Sequence, residues 1–508
     1  MEANTSTSTL YPLQHLAVEP FPHQKEGIQW MLENEKLHGR GGILADDMGL
    51  GKSFQTLATI VNNPGGTTLI VLPLSLVAQW KYEIETKLTK ALKVTVYHGT
   101  DRKQISLRRF DIVLTTYACL AREYQPPVNG ASSATSAIRF HPYAGKGRKL
   151  GKKSSIKKSK KSNNNNEKET FPLMDFQWER VVLDECQNIK NGRSITALAA
   201  QKLQSRFRWC LSGTPIQNRP SEFMSLFRFV MGRNTNSVGR ALAEMDSMIL
   251  RRKKEDVLSL PDKDIQQTVC SMNPDEKKVY DTFEDDTKEK VYDIMHGGRS
   301  MMDTMQNILV LLLRMRQISN HPRLVFPESN IKVSSKQLKI LKIIRRIHLQ
   351  NPNEKIVVFS SFVEMLHIME KTFQTLKWNY GVFDGSMNMK KRDAVLAKFR
   401  DDPSTNILLM SIKAGNVGLN LTHANTVIIT EPWWNPFIDD QAMDRVHRIG
   451  QEKSVTIHKM IVEGTIEERI LRIQEKKKLM FAQIFESGRV QKDGVRLSRE
   501  EIEYLFDL

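Results

Sequence analysis

Cysteine is scarce in this chain: Cys119, Cys186, Cys210 and Cys270 are the only four in 508 residues, and no two stand in C-x-x-C spacing. That pattern excludes a disulfide framework and a cysteine-based zinc module, and it leaves four small side chains expected in cores. Long apolar runs are also missing, since none approaches the roughly eighteen residues of a membrane span. The opening MEANTSTSTLYP has neither the basic nor the apolar region of a secretory signal, so a protein that stays inside the cell, with no membrane partner, is expected. Acidic residues are in deficit, 57 against 75 Lys and Arg, and the net charge of +18 points to a polyanionic partner.

What is present is a chain long enough for two or three domains, with an ordinary globular 40% of hydrophobic and 26% of charged residues. Its centre of organisation is Ile43-Leu44-Ala45-Asp46-Asp47-Met48-Gly49-Leu50-Gly51-Lys52-Ser53, a short apolar run that ends in a glycine-bearing turn before a Lys-Ser pair. Without a Cβ, Gly49 and Gly51 let the backbone aim its N–H groups at a triphosphate, and the N-terminus of the next helix adds a positive dipole end. Lys52 is then expected to reach the β- and γ-phosphates of ATP and Ser53 to hold Mg²⁺. Phe54, Leu57, Ala58 and Val61 trace one face of that helix. Asp46 stands where the strict phosphate-loop pattern has glycine, so the loop needs corroboration from the rest of the chain.

Corroboration comes in chain order. A helix entered through Pro22 carries Gln24, whose amide can read an adenine edge or simply face solvent. Buried-strand runs at 67–72, 94–97 and 111–116 indicate a parallel α/β sheet. Ser75, Thr115 and Thr116 fall at strand ends, where hydroxyls either meet nucleic-acid phosphates or cap the next helices. From 121 to 170 the composition collapses to Gly, Ser, Asn and Lys; 144–170 alone holds ten Lys or Arg against two Glu, +8 of the total. A disordered basic loop is expected there, serving as import signal, nucleic-acid tether or plain linker. The run Arg180-Val181-Val182-Leu183 then delivers Asp184 and Glu185, suited to holding Mg²⁺ and polarising the attacking water. A later strand runs into the hydroxyl-rich turn Ser212-Gly213-Thr214-Pro215. A second α/β block from Lys355 has no phosphate loop but carries Gln441, Arg445 and Arg448, at i, i+4 and i+7 of an expected helix. Two arginines on one face suit a γ-phosphate presented by the other block, or else a salt-bridged surface.

Read together, DDMGLGKS, LSGTPIQN, KAGNVGLNLT, EPWWNP and DRVHRIGQ resemble the Swi/Snf-type DNA translocases of helicase superfamily two, over roughly residues 18 to 508. Trp433-Trp434, the placement of the insert and the closing LSREEIEYLF resemble the branch of helicase-like transcription factor and the post-replication and excision-repair translocases. The cysteine-rich RING finger of many such proteins has no counterpart here, so ubiquitin-ligase activity is not expected.

The resemblance implies two RecA-like lobes with ATP and Mg²⁺ in the cleft. Gln24 and Asp46, Asp47, Met48, Gly49, Leu50, Gly51, Lys52 and Ser53 would bind ATP, with Ser53 and Asp184 on the metal. Asp184, Glu185, Arg445 and Arg448 would be catalytic, and Gln187, Ser212, Thr214 and Gln441 would couple hydrolysis to movement. Duplex DNA, on chromatin or nucleosomes in the nucleus, would lie against Ser75, Thr115, Thr116, Ser361, Lys413 and Trp434, although Trp434 also suits a core. The expected divisions are a flexible 1–19, an ATP-binding lobe at 20–232, a helical insertion and linker at 233–330, a second lobe at 331–480 and a helical tail at 481–508. Three positions depart from the family pattern: Gln187 replaces histidine, Cys186 a small residue and Asn416 glycine, so altered coupling is expected. An ATP-dependent remodelling translocase of repair or transcription is the leading reading; a strand-separating helicase and a DNA-bound scaffold with an impaired motor are the alternatives.

Overall fold

The computed structural model describes residues 11–125, 172–213, 220–235, 237–296, 301–415, 419–487 and 499–507. Thr214, Asn416 and nearly all of the basic insert lie outside the described residues, and Lys413 is described in its backbone alone.

Two parallel sheets organise the chain. The first joins β1 (Gly42–Leu44), β2 (Thr68–Leu72), β3 (Val94–Tyr97), β4 (Ile112–Thr116), β5 (Gln177–Asp184), β6 (Gln204–Leu211) and β7 (Ile249–Leu250), in the order β3-β4-β2-β5-β6-β1-β7. The second joins β8 (Lys263–Cys270), β9 (Ile356–Ser360), β10 (Tyr380–Phe383), β11 (Ile407–Ser411), β12 (Thr426–Ile429) and β13 (Val455–Val462), in the order β10-β11-β9-β12-β13-β8. The central strands are continuous Val, Ile and Leu runs buried along their whole length, such as Thr68–Leu72 and Ile356–Ser360. That burial follows from helices covering both faces of a parallel sheet. The α/β class with two RecA-like lobes is therefore the observed architecture.

The interval 233–330 is more than a helical insertion and linker. Its β7 pairs with β1 at Ile43–Leu44, closing the first sheet, and its β8 pairs with β13 along eight residues, closing the second. These edges escape a reading of periodicity because Ile249–Leu250 is too short to show a period and six of the eight side chains of β8 are exposed. Two long helices, Pro274–His296 and Met301–Asn320, follow; Tyr280, Val291, Ile308 and Leu312 pack there with Ile470, Ile502, Leu505 and Phe506. The tail helix Arg499–Phe506 thus docks back onto this core, although Tyr504 stays exposed. All four cysteines are buried and unbridged.

One buried ion pair fixes the frame beneath the site. Arg180 of β5 forks onto Glu35 of the helix Pro22–Lys36 with both contacts at 2.5 Å, and Trp209 Nε1 donates to the same carboxylate at 2.8 Å. Removing one partner would strand the other charge in the core, a loss of about 3–5 kcal/mol. The pair therefore ties the Gln24 helix to the strand that carries Asp184.

Candidate active site

Gly49 and Gly51 adopt φ of +91° and +81°, the left-handed backbone that a Cβ disfavours. A Cβ would also crowd the site: at Gly51 it would sit 2.4 Å from Gln24 Nε2, which would have to move, and at Gly49 2.9 Å from the Cβ of Arg448. Gln24 is buried against the loop, not solvent-facing: its Nε2 donates to Leu50 O at 3.2 Å and its Oε1 accepts from Phe21 N–H at 3.1 Å. Lys52 Nζ donates to the carbonyls of Asp46 at 2.7 Å and Asp47 at 3.1 Å. Burial pulls the Lys52 ammonium below its usual range, opposed by Asp46, Glu185, Asp184 and Asp47.

Asp46 is explained by residues far along the chain. The Arg252 guanidinium reaches its two carboxylate oxygens at 3.0 and 2.5 Å and Gln55 Oε1 at 3.0 Å, so the residue in the place of a glycine anchors the loop. Asp47 accepts from the backbone N–H of Lys254 at 3.0 Å. The run Arg251-Arg252-Lys253-Lys254, directly after β7, was the available signal for this strap.

Opposite the loop, β5 ends at Asp184 as expected. Its Oδ2 accepts from Trp80 Nε1 at 2.8 Å, and burial together with the neighbouring Glu185 charge raises its pKa to about 7. Glu185 takes a left-handed φ of +52°, a conformation costing a non-glycine residue roughly 1–3 kcal/mol and found where function over-determines the backbone. Gln187 Nε2 donates to Glu185 Oε2 at 2.6 Å, and Gln187 Oε1 accepts from Ser212 Oγ at 3.0 Å. Glutamine thus spans the gap between Glu185 and the end of β6.

The second lobe supplies Arg445 and Arg448, but not from a helix. The helix Pro436–Met443 stops after Gln441, and both arginines sit in the turns that follow. The turns still aim them across the cleft: Arg445 lies in the field of Glu185 and Asp184, and Arg448 abuts Gly49. Burial lowers both guanidinium pKa values. Arg445 Nε and Nη2, Arg448 Nε and Gln441 Nε2 are buried without a hydrogen-bond partner among the described residues, and the described residues form no ion pair with either arginine, as a salt-bridged surface would require. A cavity of about 690 Å³ opens beside Arg448, lined also by Gln24, Gly49, Gly51 and Ser53.

The donor set fits a triphosphate: a glycine-curled loop, a buried ammonium and two guanidinium groups with N–H groups to spare. For Mg²⁺, Asp184 and Ser53 are chemically apt oxygen donors, and a cation would offset the desolvation that raises Asp184. Ser53 Oγ donates to Glu83 Oε2 at 2.6 Å, a contact the sequence did not signal.

The expected DNA contacts are placed differently. Thr115 is buried, donating to Tyr97 O at 2.9 Å, and Thr116 caps the helix Tyr117–Arg122 by accepting from Cys119 N–H. Ser75 lines the nucleotide-side cavity, and Ser361 Oγ is buried without a partner beside Glu431. Trp434 is half-buried against the tail core with Arg316 over its ring at 5.5 Å, the core alternative open in the sequence. Arg316 itself, buried among Phe362, Trp433 and Trp434, gave no sequence signal.

This architecture and site define a two-lobed nucleotide hydrolase. The SNF2-related domain model matches residues 23–239 and 233–324, and the helicase conserved C-terminal domain model matches 336–450. The chain belongs to the SNF2 family of ATP-dependent, helicase-like enzymes. It is 33% identical to a probable global transactivator of Orgyia pseudotsugata multicapsid polyhedrosis virus, covering 96% of this chain and 94% of that protein. It is 28% identical to an ATP-dependent helicase of Schizosaccharomyces pombe, over 96% of this chain and 62% of that protein. A DNA repair protein of Arabidopsis thaliana, RAD5B, is 28% identical over 92% of this chain and 47% of its own length. Against the solved SWI2/SNF2 ATPase core of Sulfolobus solfataricus in complex with dsDNA the identity is 28%, with 99% of this chain and 100% of that chain covered and a TM-score of 0.41.

Proposed function

We propose that the chain hydrolyses ATP in the cleft in response to double-stranded DNA and uses the cycle to translocate on the duplex. The task is remodelling of chromatin or other protein–DNA complexes in repair or transcription, within the nucleus. One observation carries this reading: Arg445 and Arg448 are buried with donors that have no partner among the described residues, Arg445 in the field of Glu185 and Asp184 and Arg448 against Gly49 of the phosphate loop. Such groups are costly to bury without a partner, and a γ-phosphate is the partner whose charge and position match them.

In this reading Lys52 and the loop N–H groups bind the phosphates, Ser53 and Asp184 hold Mg²⁺, and Glu185 orients and polarises water. Mg²⁺, when bound, would neutralise phosphate charge. Gln187 and Ser212 relay the state of Glu185 to the lobe interface. Gln24 sits against Gly51 where it can sense the base, and Gln441, buried just ahead of the arginine turn, takes part in coupling. The SNF2 membership and the +10 remaining outside 144–170 support duplex DNA as partner. The test is ATP turnover with no nucleic acid, single-stranded DNA, duplex DNA and nucleosomes, beside a Lys52→Ala control. Stimulation by duplex above single strands is expected, and turnover indifferent to all four would overturn the proposal.

A further inference from the structure

The segment between the sheets, Leu250 to Pro261, is threaded along the phosphate loop before it reaches the second lobe. Its backbone carries the lacing: Ala45 N–H donates to Leu250 O at 2.7 Å, Asp47 N–H to Arg252 O at 3.1 Å, and Lys254 N–H to Asp47 Oδ2 at 3.0 Å. At Lys254 the lacing crosses the cleft. Its Nζ donates to Asp444 Oδ1 at 2.7 Å and to His447 O at 2.8 Å, the residues that directly precede Arg445 and Arg448. A second crossing follows, where His447 Nε2 pairs with Pro261 O at 2.8 Å. The methylene stem of Lys254 closes the corner: a Cβ placed on Gly49 would meet Arg448 Cβ at 2.9 Å and Lys254 Cε at 3.7 Å. One buried lysine therefore holds both the loop that binds phosphate and the turn that presents both arginines.

We propose that Lys254 is a positioning residue of the motor, a clasp that docks the 444–448 turn on the phosphate loop and so sets how often Arg445 and Arg448 face the nucleotide. The inference rests on the proposed ATPase cycle but concerns lobe geometry. A buried ammonium with two acceptors on one lobe, and its own backbone fixed to the other, resists separation more than surface pairs do. Because Lys254 does not reach the cavity lined by Gln24, Gly51 and Ser53, its loss should spare nucleotide binding.

The experiment uses the full chain with Lys254→Met, which keeps the stem and removes the charge, Lys254→Arg, and Asp444→Leu, which removes the acceptor. Small-angle scattering without nucleotide reads lobe separation; fluorescent-ATP titration and single-turnover hydrolysis read binding and chemistry. Lys254→Met should scatter as a more extended particle and hydrolyse bound ATP roughly tenfold to a hundredfold slower, the scale of losing hydrogen bonds to a charged donor. Nucleotide affinity should stay within about threefold, Lys254→Arg should recover most of the rate, and Asp444→Leu should reproduce the opening. Wild-type scattering and a rate within threefold in Lys254→Met would overturn the clasp. Should Lys254→Met fail to fold, Asp444→Leu decides: an extended particle supports the clasp and an unchanged one overturns it. A wild type that hydrolyses no ATP would defeat the proposed function while scattering still tests the clasp.

Discussion

Arg445→Met should make the nucleotide-free protein more stable while abolishing stimulated turnover. Arg445 is only 6% exposed, and its Nε and Nη2 have no partner among the described residues. A buried unsatisfied donor costs about 1–3 kcal/mol, so two such donors set a ceiling near 6 kcal/mol. Water in the cleft and the attraction of Glu185 recover part of that, leaving a net gain of about 1–2 kcal/mol when an apolar side chain of similar length fills the space. In a lobe of this size that corresponds to a rise of roughly 2–8 °C in melting temperature. In turnover the same change should cost about 10³- to 10⁵-fold, the range for an arginine that stabilises transferring phosphate. Scanning calorimetry without nucleotide, paired with duplex-stimulated ATP hydrolysis, separates the two effects. A variant that melts below wild type while retaining turnover would show that Arg445 is a structural residue, and the argument from unpaired donors would fail.

Glu185→Gln should still bind fluorescent ATP yet lose roughly 10²-fold or more in turnover; steady-state rates within a few-fold of wild type would sink its assignment to the attacking water. Deleting 144–170, with its ten Lys or Arg and two Glu, should weaken DNA binding and flatten its salt dependence, while saturating duplex restores near-normal turnover. Asp439 is buried, and burial raises its pKa to about 6 despite the opposing Lys459 and Gln474. Its protonated form belongs to the fold, so its contribution is intact below the unfolded value near 4 and is lost as pH rises through 6. Asp439→Asn keeps the acceptor for Gln474 and should therefore stabilise by roughly 3 kcal/mol at pH 8 and by little at pH 4, as read by denaturant melts at both pH values.

The phosphate loop, the strand ending in Asp184 and Glu185, and the core strands of both lobes were legible in the chain because each rests on interactions within about ten residues. Glycine at left-handed positions, apolar runs buried on both faces and a helix started by Lys52-Ser53 are local physics, and composition marked the basic insert just as directly. The arginine pair was legible as residues but not as geometry: the 3.6 periodicity of Gln441, Arg445 and Arg448 suggested a helix that in fact ends at Met443, because its last turns are held by the opposite lobe. What only the tertiary structure decided are pairings across long separations. Asp46 meets Arg252 and Lys254 meets Asp444 at separations of 206 and 190 residues, and no local pattern fixes such partners. The same holds for strand ends read as DNA contacts, where burial turned Thr115 and Thr116 inward and packing against Arg316 held Trp434 half-buried. A hydroxyl or an indole in sequence carries its chemistry with it, but whether that chemistry faces solvent is decided by what the rest of the chain lays over it.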